Sequence, residues 1–259
     1  MIQLKGITFR RDERNILRGV DLNVKPGEQW TLLGRNGCGK TTVLEMITGY
    51  EFPTSGTVEI LGNRYGKCDV REVRKKIGYI SPNIIEKMTL TDPVWEIVAG
   101  GAFAYLRLYE EVSDDIREQA YIELERVGMR TVAEQSFGTL SQGERKKILL
   151  ARTMMASPEL LILDEPCAGL DLYERERFLH ALSDLATQKL SMLYVTHHIE
   201  EITPMFTHVA LMAEGQIIAS GHKRDVLTSA TLEKAYDLPL HIEWQDDRPW
   251  IQVGRVEQR

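Results

Sequence analysis

Residues 34–42 read GRNGCGKTT, between an apolar run with strand character, QWTLL (residues 29–33), and a helical pattern that begins at Lys40. This strand–loop–helix context is what a G-x-x-x-x-G-K-[ST] phosphate loop requires. Glycines at 34, 37 and 39 let the backbone curl so that successive N–H groups point at phosphate oxygens. The helix N-terminus adds favourable partial positive charge. Lys40 then reaches the β- and γ-phosphates, and Thr41 offers a hydroxyl to a Mg²⁺ ion bridging the same oxygens. Asn36, Cys38 and Thr42 complete the cradle. A plain glycine-rich turn before a helix is the bland alternative. Cys38, among backbone amides and near Lys40, is expected to be a reactive thiol whose alkylation inactivates and which bound nucleotide protects.

Around this loop, short β-rich runs alternate with helical patterns, which predicts an α/β fold with a mainly parallel sheet covered by helices. Strands are expected at residues 2–9, 20–24, 29–33, 56–61, 76–80, 160–163, 191–196, 209–212 and 216–220, with a helix over 40–48. From about Ile84 to Phe137 the β signal disappears, and DDIREQAYIELERVG carries apolar residues at helical spacing. An inserted helical subdomain is therefore expected over about 84–157. Its tail, 140–156, is amphipathic, with Ser141 as N-cap and Glu144 three residues on. LHIEWQ and PWIQV flank Asp246-Asp247 and predict a hairpin. Residues 1–227 are expected to form one domain and 228–259 a helix-and-hairpin extension read as packing.

The chain has 259 residues, 43% hydrophobic and 27% charged, which allows one large α/β domain but not two. Its net charge of −6 weighs against a protein held on nucleic acid by bulk charge. The opening MIQLKGITFRRDER lacks the apolar core of a secretory signal. The most apolar stretch, Pro93 to Leu108, contains Glu96 and Arg107 and falls short of the roughly 18 residues that span a bilayer. Three widely spaced cysteines without paired or metal-ligand spacing suit a reducing cytoplasm.

LLILDEP (residues 160–166) is a continuous apolar run ending in two acids, as expected of a strand buried on both faces that stops at the carboxyl edge of a sheet. Ligands of open α/β sheets bind at that edge. Asp164 is placed there to hold Mg²⁺ and Glu165 to orient or deprotonate the water that attacks the γ-phosphate. A helix cap or solvated turn is the alternative for such an acidic pair.

GRNGCGKTT, LSQGE (140–144), LLILDEP, AGLD (168–171) and THH (196–198) occur in an order and at separations that resemble the nucleotide-binding subunit of the ATP-binding cassette (ABC) family, over about residues 1–227. The resemblance implies a P-loop NTPase core with an antiparallel β subdomain and an inserted α-helical subdomain, and an ATPase using ATP and Mg²⁺. It implies a head-to-tail homodimer in which Ser141 and Gly143 of one chain contact the γ-phosphate held by the other chain's loop. His197 matches the switch histidine of the family, and Asp171 the loop that signals between the two sites. The family also implies separately encoded transmembrane subunits, a cytoplasmic location on the membrane's inner face, and no direct nucleic-acid contact. The compact importer-type cassettes are the nearest in kind. A soluble ATPase acting on a ribosome or repair complex is the alternative.

Three departures from the family pattern stand out. Gln142 and Glu144 replace the third and fifth residues of the usual LSGGQ. Pro82 occupies the position of a metal-contacting glutamine, so Asn83 serves as metal ligand only if the loop gains a residue; a plain turn is the alternative. Arg11 stands where many members stack an aromatic on adenine, and either stacks its guanidinium there or belongs to a solvated basic turn, Arg10 to Arg14.

Overall fold

The computed structural model describes residues 1–108, 111–186 and 190–254, together with the backbone but not the side chain of Asn83. The chain forms two compact units, residues 1–74 with 191–259, and residues 75–190.

In the first unit, β1 (Ile2–Arg11), β2 (Arg14–Val24), β4 (Ser55–Ile60) and β5 (Asn63–Arg64) make an antiparallel sheet in the order β2-β1-β4-β5. Along β1 the buried residues are Ile2, Leu4, Ile7 and Phe9, so the alternation slips by one between Leu4 and Ile7. A bulge at Gly6, with φ of 56°, absorbs the slip, and Gly6 N donates to Asp21 Oδ1 at 2.8 Å. β1 and β2 run further than predicted, to Arg11 and from Arg14, because Arg10 pairs with Asn15 and Arg11 with Arg14. Ladder pairing overrides the polar composition, and the expected basic turn contracts to Asp12-Glu13.

The second sheet of this unit contains β3 (Gln29–Gly34), β8 (Ser191–Thr196), β9 (His208–Ala213) and β10 (Gln216–His222), in the order β10-β9-β3-β8. β3 is parallel to both β8 and β9, while β10 is antiparallel to β9. Every residue of β3 and β8 is buried, as a strand covered on both faces requires. α1 (Lys40–Thr48) follows β3 through the phosphate loop and stops at Gly49, whose φ of 70° gives a left-handed cap. α2 (Val70–Arg74) ends the first stretch of the unit. The chain finishes with α7 (Lys223–Val226), α8 (Ser229–Tyr236) and the predicted hairpin, β11 (Leu240–Gln245) with β12 (Arg248–Val253). Asp246 and Asp247 both have positive φ, 49° and 58°, which is the two-residue type I′ turn that matches strand twist.

The second unit pairs β6 (Ile77–Ile80) in parallel with β7 (Leu160–Asp164) and carries α3 (Val94–Ala99), α4 (Asp114–Arg126), α5 (Gln142–Met154) and α6 (Leu172–Ala186). α5 buries Ile148, Leu149, Leu150 and Ala151 in succession, so it is enclosed rather than laid on a surface. Its C-terminal half also buries Arg152. The guanidinium donates to Ile97 O at 2.6 Å and Tyr105 O at 2.5 Å, tying the end of α3 and the turn after it to α5. Burial lowers its pKa to about 10, which still leaves it charged at neutral pH.

Replacing Arg152 by Leu strands the buried Ile97 carbonyl and removes the partner of the Tyr105 carbonyl. The expected loss is about 2–4 kcal/mol of stability, measured by denaturant unfolding of the purified chain.

Candidate functional site

The phosphate loop takes the shape its glycines permit. Gly37 and Gly39 have φ of 79° and 108°, in the region where a side chain is strained. An added Cβ on Gly39 would also come within 2.8 Å of Met212 Cε, the flexible end of that side chain, so the backbone conformation is what chiefly excludes another residue. Lys40 is 5% exposed. Its Nζ donates to Gly34 O at 2.8 Å and Arg35 O at 3.2 Å, so the ammonium is folded over the loop whose phosphate it is suited to neutralise. Asn36, Gly37 and Thr41 are exposed and Thr42 partly so, while Val43 N begins the helix by donating to Gly39 O.

Cys38 departs from its sequence expectation. It is 8% exposed, and its Sγ lies 2.8 Å from where a Cβ on Gly34 would stand. The sulfur is packed inward, so accessibility limits its reactivity.

Arg11 is exposed beside the turn at Asp12-Glu13 and also pairs with carboxylates that the sequence reading did not name. Its Nη2 is 2.9 Å from Glu51 Oε1 and 3.9 Å from Glu45 Oε2, with the guanidinium 5.6 Å from the Phe9 ring centroid. The cation is therefore engaged by carboxylates on α1 and just beyond it.

At the end of β8, Thr196 is buried, His197 partly exposed and His198 exposed. The two imidazoles lie 4.1 Å apart. Behind them is a buried network that sequence reading missed. Glu201, 2% exposed, accepts from Thr196 Oγ1 at 2.6 Å and Tyr194 Oη at 2.9 Å. Thr196 Oγ1 in turn accepts from His198 N at 3.0 Å. An acid following THH looks like a solvated turn in sequence; only the depth of β8 shows that it is the acceptor for two buried hydroxyls.

In the second unit, β7 ends in Asp164, 6% exposed, whose Oδ2 is approached by Tyr79 Oη at 3.5 Å. Glu165 then turns the chain with φ of 47°, in the left-handed region that costs a non-glycine residue energy, and its carbonyl accepts from Ala168 N. Both acids border a cavity of about 480 Å³, with Gln142, Arg145 and Lys146 of α5 on one wall. Pro82 starts a 3₁₀ turn, Pro82–Lys87, directly after the extended Ser81, whereas the side chain of Asn83 lies outside the described residues.

The LSQGE segment forms the predicted capping box: Ser141 Oγ accepts from Glu144 N at 3.2 Å and Glu144 Oε2 accepts from Ser141 N at 2.8 Å. Gly143 is buried, and a Cβ there would overlap the side chain of Glu174, so glycine is needed for this packing. Asp171 Oδ1 accepts from Glu174 N at 2.9 Å and so orders the start of α6 beside it.

Comparison with known proteins agrees with this chemistry. The family model described as ABC transporter matches residues 17–168. An uncharacterized ABC transporter ATP-binding protein of Bacillus subtilis, YlmA, is 41% identical over 254 residues, covering 97% of this chain and 96% of its own length. Among solved structures, CbiO1 of Clostridium perfringens, part of the ABC transporter complex cbiONQ, superposes with a TM-score of 0.79 at 24% identity, covering 90% of this chain and 92% of its own. A dimeric ATP-binding cassette in a post-hydrolysis state with ADP and Pi superposes with a TM-score of 0.72 at 24% identity, covering 86% and 98%. A family match over more than half the chain, and a relative this similar along nearly all of it, settle the assignment. The chain belongs to the ABC transporter family, as an ATP-binding subunit that hydrolyses ATP.

Proposed function

We propose that two copies of the chain sandwich ATP head to tail, the phosphate loop of one facing the LSQGE segment of the other, and that their closing and opening drives separate membrane-spanning subunits. The observation that carries this reading is Lys40, buried in a glycine-shaped loop at a helix N-terminus and held on that loop's own carbonyls. The dimeric cassette with ADP and Pi, and CbiO1 as part of a transporter complex, support the pairing and the membrane partner. Among the described residues no helix is long and apolar enough to cross a membrane. The proposed location is the cytoplasmic face, beneath those subunits.

In the proposed mechanism, N–H groups of residues 36–42 and Nζ of Lys40 bind the β- and γ-phosphates. Glu165 accepts a proton as water oxygen bonds to the γ-phosphorus, and the bond from that phosphorus to the bridging oxygen breaks, leaving ADP and phosphate. His197 holds the γ-phosphate and the attacking water, and Ser141 Oγ and Gly143 N of the second copy donate to the same phosphate. Thr41 and Asp164 would hold Mg²⁺, which supplies charge neutralisation across the phosphates. Their hydroxyl and carboxylate oxygens fit a hard ion. Among the described residues no group of three or more His, Cys, Asp or Glu could hold a metal ion.

Glu165→Gln removes the base without touching the phosphate cradle. Turnover should fall by about 10²- to 10⁴-fold while ATP binding persists and ATP converts the chain to a stable dimer on size-exclusion chromatography. A variant that stays monomeric at saturating ATP contradicts the sandwich; Lys40→Ala, in contrast, should lose nucleotide affinity. Because Arg11 is engaged by Glu51, base stacking should be weak, and GTP should compete with ATP within a few-fold in binding titrations. Strong selection for ATP would show instead that Arg11 leaves the carboxylate to stack. Detergent extraction of tagged chain from its native membranes should copurify a protein with several spans, and recovery with ribosomes or nucleic acid alone would overturn the transport role.

A further inference from the structure

The residues beyond Leu227 carry none of the phosphate-binding motifs, yet they grip both loops of the first unit that the proposed mechanism uses. Tyr236 ends α8. Its phenol donates to His197 O at 3.4 Å, and its own carbonyl accepts from Arg35 Nη1 of the phosphate loop at 3.3 Å. Burial, with Cys38 and Glu200 nearby, pushes the phenol well above its usual pKa, so it remains a neutral donor at any working pH. Further along, Arg248 Nε of β12 donates to Glu200 O at 2.6 Å. The C-terminal elements thus hold the main chain of residues 197–200 at both ends.

The grip is itself anchored. Lys223, 1% exposed, reaches Asp247 Oδ2 at 2.7 Å and Asp247 O at 2.8 Å, and Arg224 reaches Asp247 Oδ1 at 2.9 Å. The hairpin turn is fixed to α7 by a buried ammonium, so Arg248, the next residue, has little freedom. From the opposite side the Thr196–Glu201 bond and the His198 N–H to Thr196 Oγ1 restrain the same loop. His197 therefore sits on a main chain clamped by β8 on one side and by the C-terminal elements on the other.

We propose that Tyr236 is a positioning residue for ATP hydrolysis, joining the main chain of His197 to the phosphate loop through one side-chain and one main-chain hydrogen bond. This rests on the reading of His197 as the residue that contacts the γ-phosphate. The C-terminal segment, read from sequence as packing, thereby restrains the histidine loop that the β3–β8 ladder brings beside the phosphate loop. Anything that displaces the hairpin would then change turnover before it changes ATP binding.

The test uses the full-length chain with Mg-ATP in four forms: wild type, Tyr236→Phe, His197→Ala and the double variant, with kcat normalised to ATP sites counted by binding titration. Tyr236→Phe deletes one hydroxyl. It should lower kcat by about three- to ten-fold, the loss of one neutral hydrogen bond, with KM within about two-fold and Tm within about 2 °C. His197→Ala should lower kcat further, and adding Tyr236→Phe to it should cost nothing more. As a readout independent of residual activity, the His197 imidazole resonance, assigned by its loss in His197→Ala, should move in Tyr236→Phe while that of His180 does not. Wild-type kcat with an unmoved His197 resonance in Tyr236→Phe overturns the proposal. So does an equal fold-loss in the His197→Ala background, which would mean that Tyr236 acts elsewhere. Wild-type turnover by His197→Ala would instead remove the role of His197, and the proposal with it, irrespective of what Tyr236→Phe does.

Discussion

A flexible chain binds a polyphosphate anion poorly, because it must organise its donors while it competes with water. Here that organisation is present in the fold. The Lys40 ammonium rests on the carbonyls of Gly34 and Arg35, inside a loop that Gly37 and Gly39 curl through the left-handed region. β3, buried on both faces and paired in parallel with β8 and β9, fixes where that loop starts, and α1 fixes where it ends. Nearly every other feature of the first unit either supports this strand–loop–helix joint or brings His197 to the same strand ends, since Leu33 and Thr196 are register partners.

Much of this is legible in the sequence because the signals are local. A glycine-rich loop between an apolar strand and a helix cannot easily be mistaken, and strand β8 falls at 191–196 both as predicted and as observed. The helix over 40–48, the Ser141 cap with Glu144, and the Asp-Asp hairpin turn are also set by residues within a few positions of one another. What sequence missed depends on partners far along the chain. The polar first half of β2 is a strand only because β1 lies beside it. Arg11 meets Glu51, forty residues on, and Tyr236 meets Arg35 two hundred residues away. Cys38 shows the same limit: its neighbours in sequence predict reactivity, and its neighbours in space cover the sulfur.

The departures from the family's motifs become physically intelligible in the same way. Glu144, in place of the usual glutamine, uses its carboxylate to accept the Ser141 N–H, which a helix N-terminus favours further through its partial positive charge. The glycine retained at 143 has Glu174 packed where its side chain would be. Pro82, at the position of the usual glutamine, is well suited to the first residue of the turn it begins.

The capping box has a further meaning for how Ser141 is to be interrogated. Its oxygen lone pair is given to Glu144 N, while its own proton remains to be offered outward. One atom thus ties down a helix end and, in the proposed dimer, presents a donor to the other copy's phosphate. Removing the hydroxyl therefore frays α5 and, in the proposed sandwich, deletes a phosphate contact as well, whereas threonine preserves both. In the proposed sandwich, the order of this helix's first turn and the occupancy of the binding surface rise and fall together.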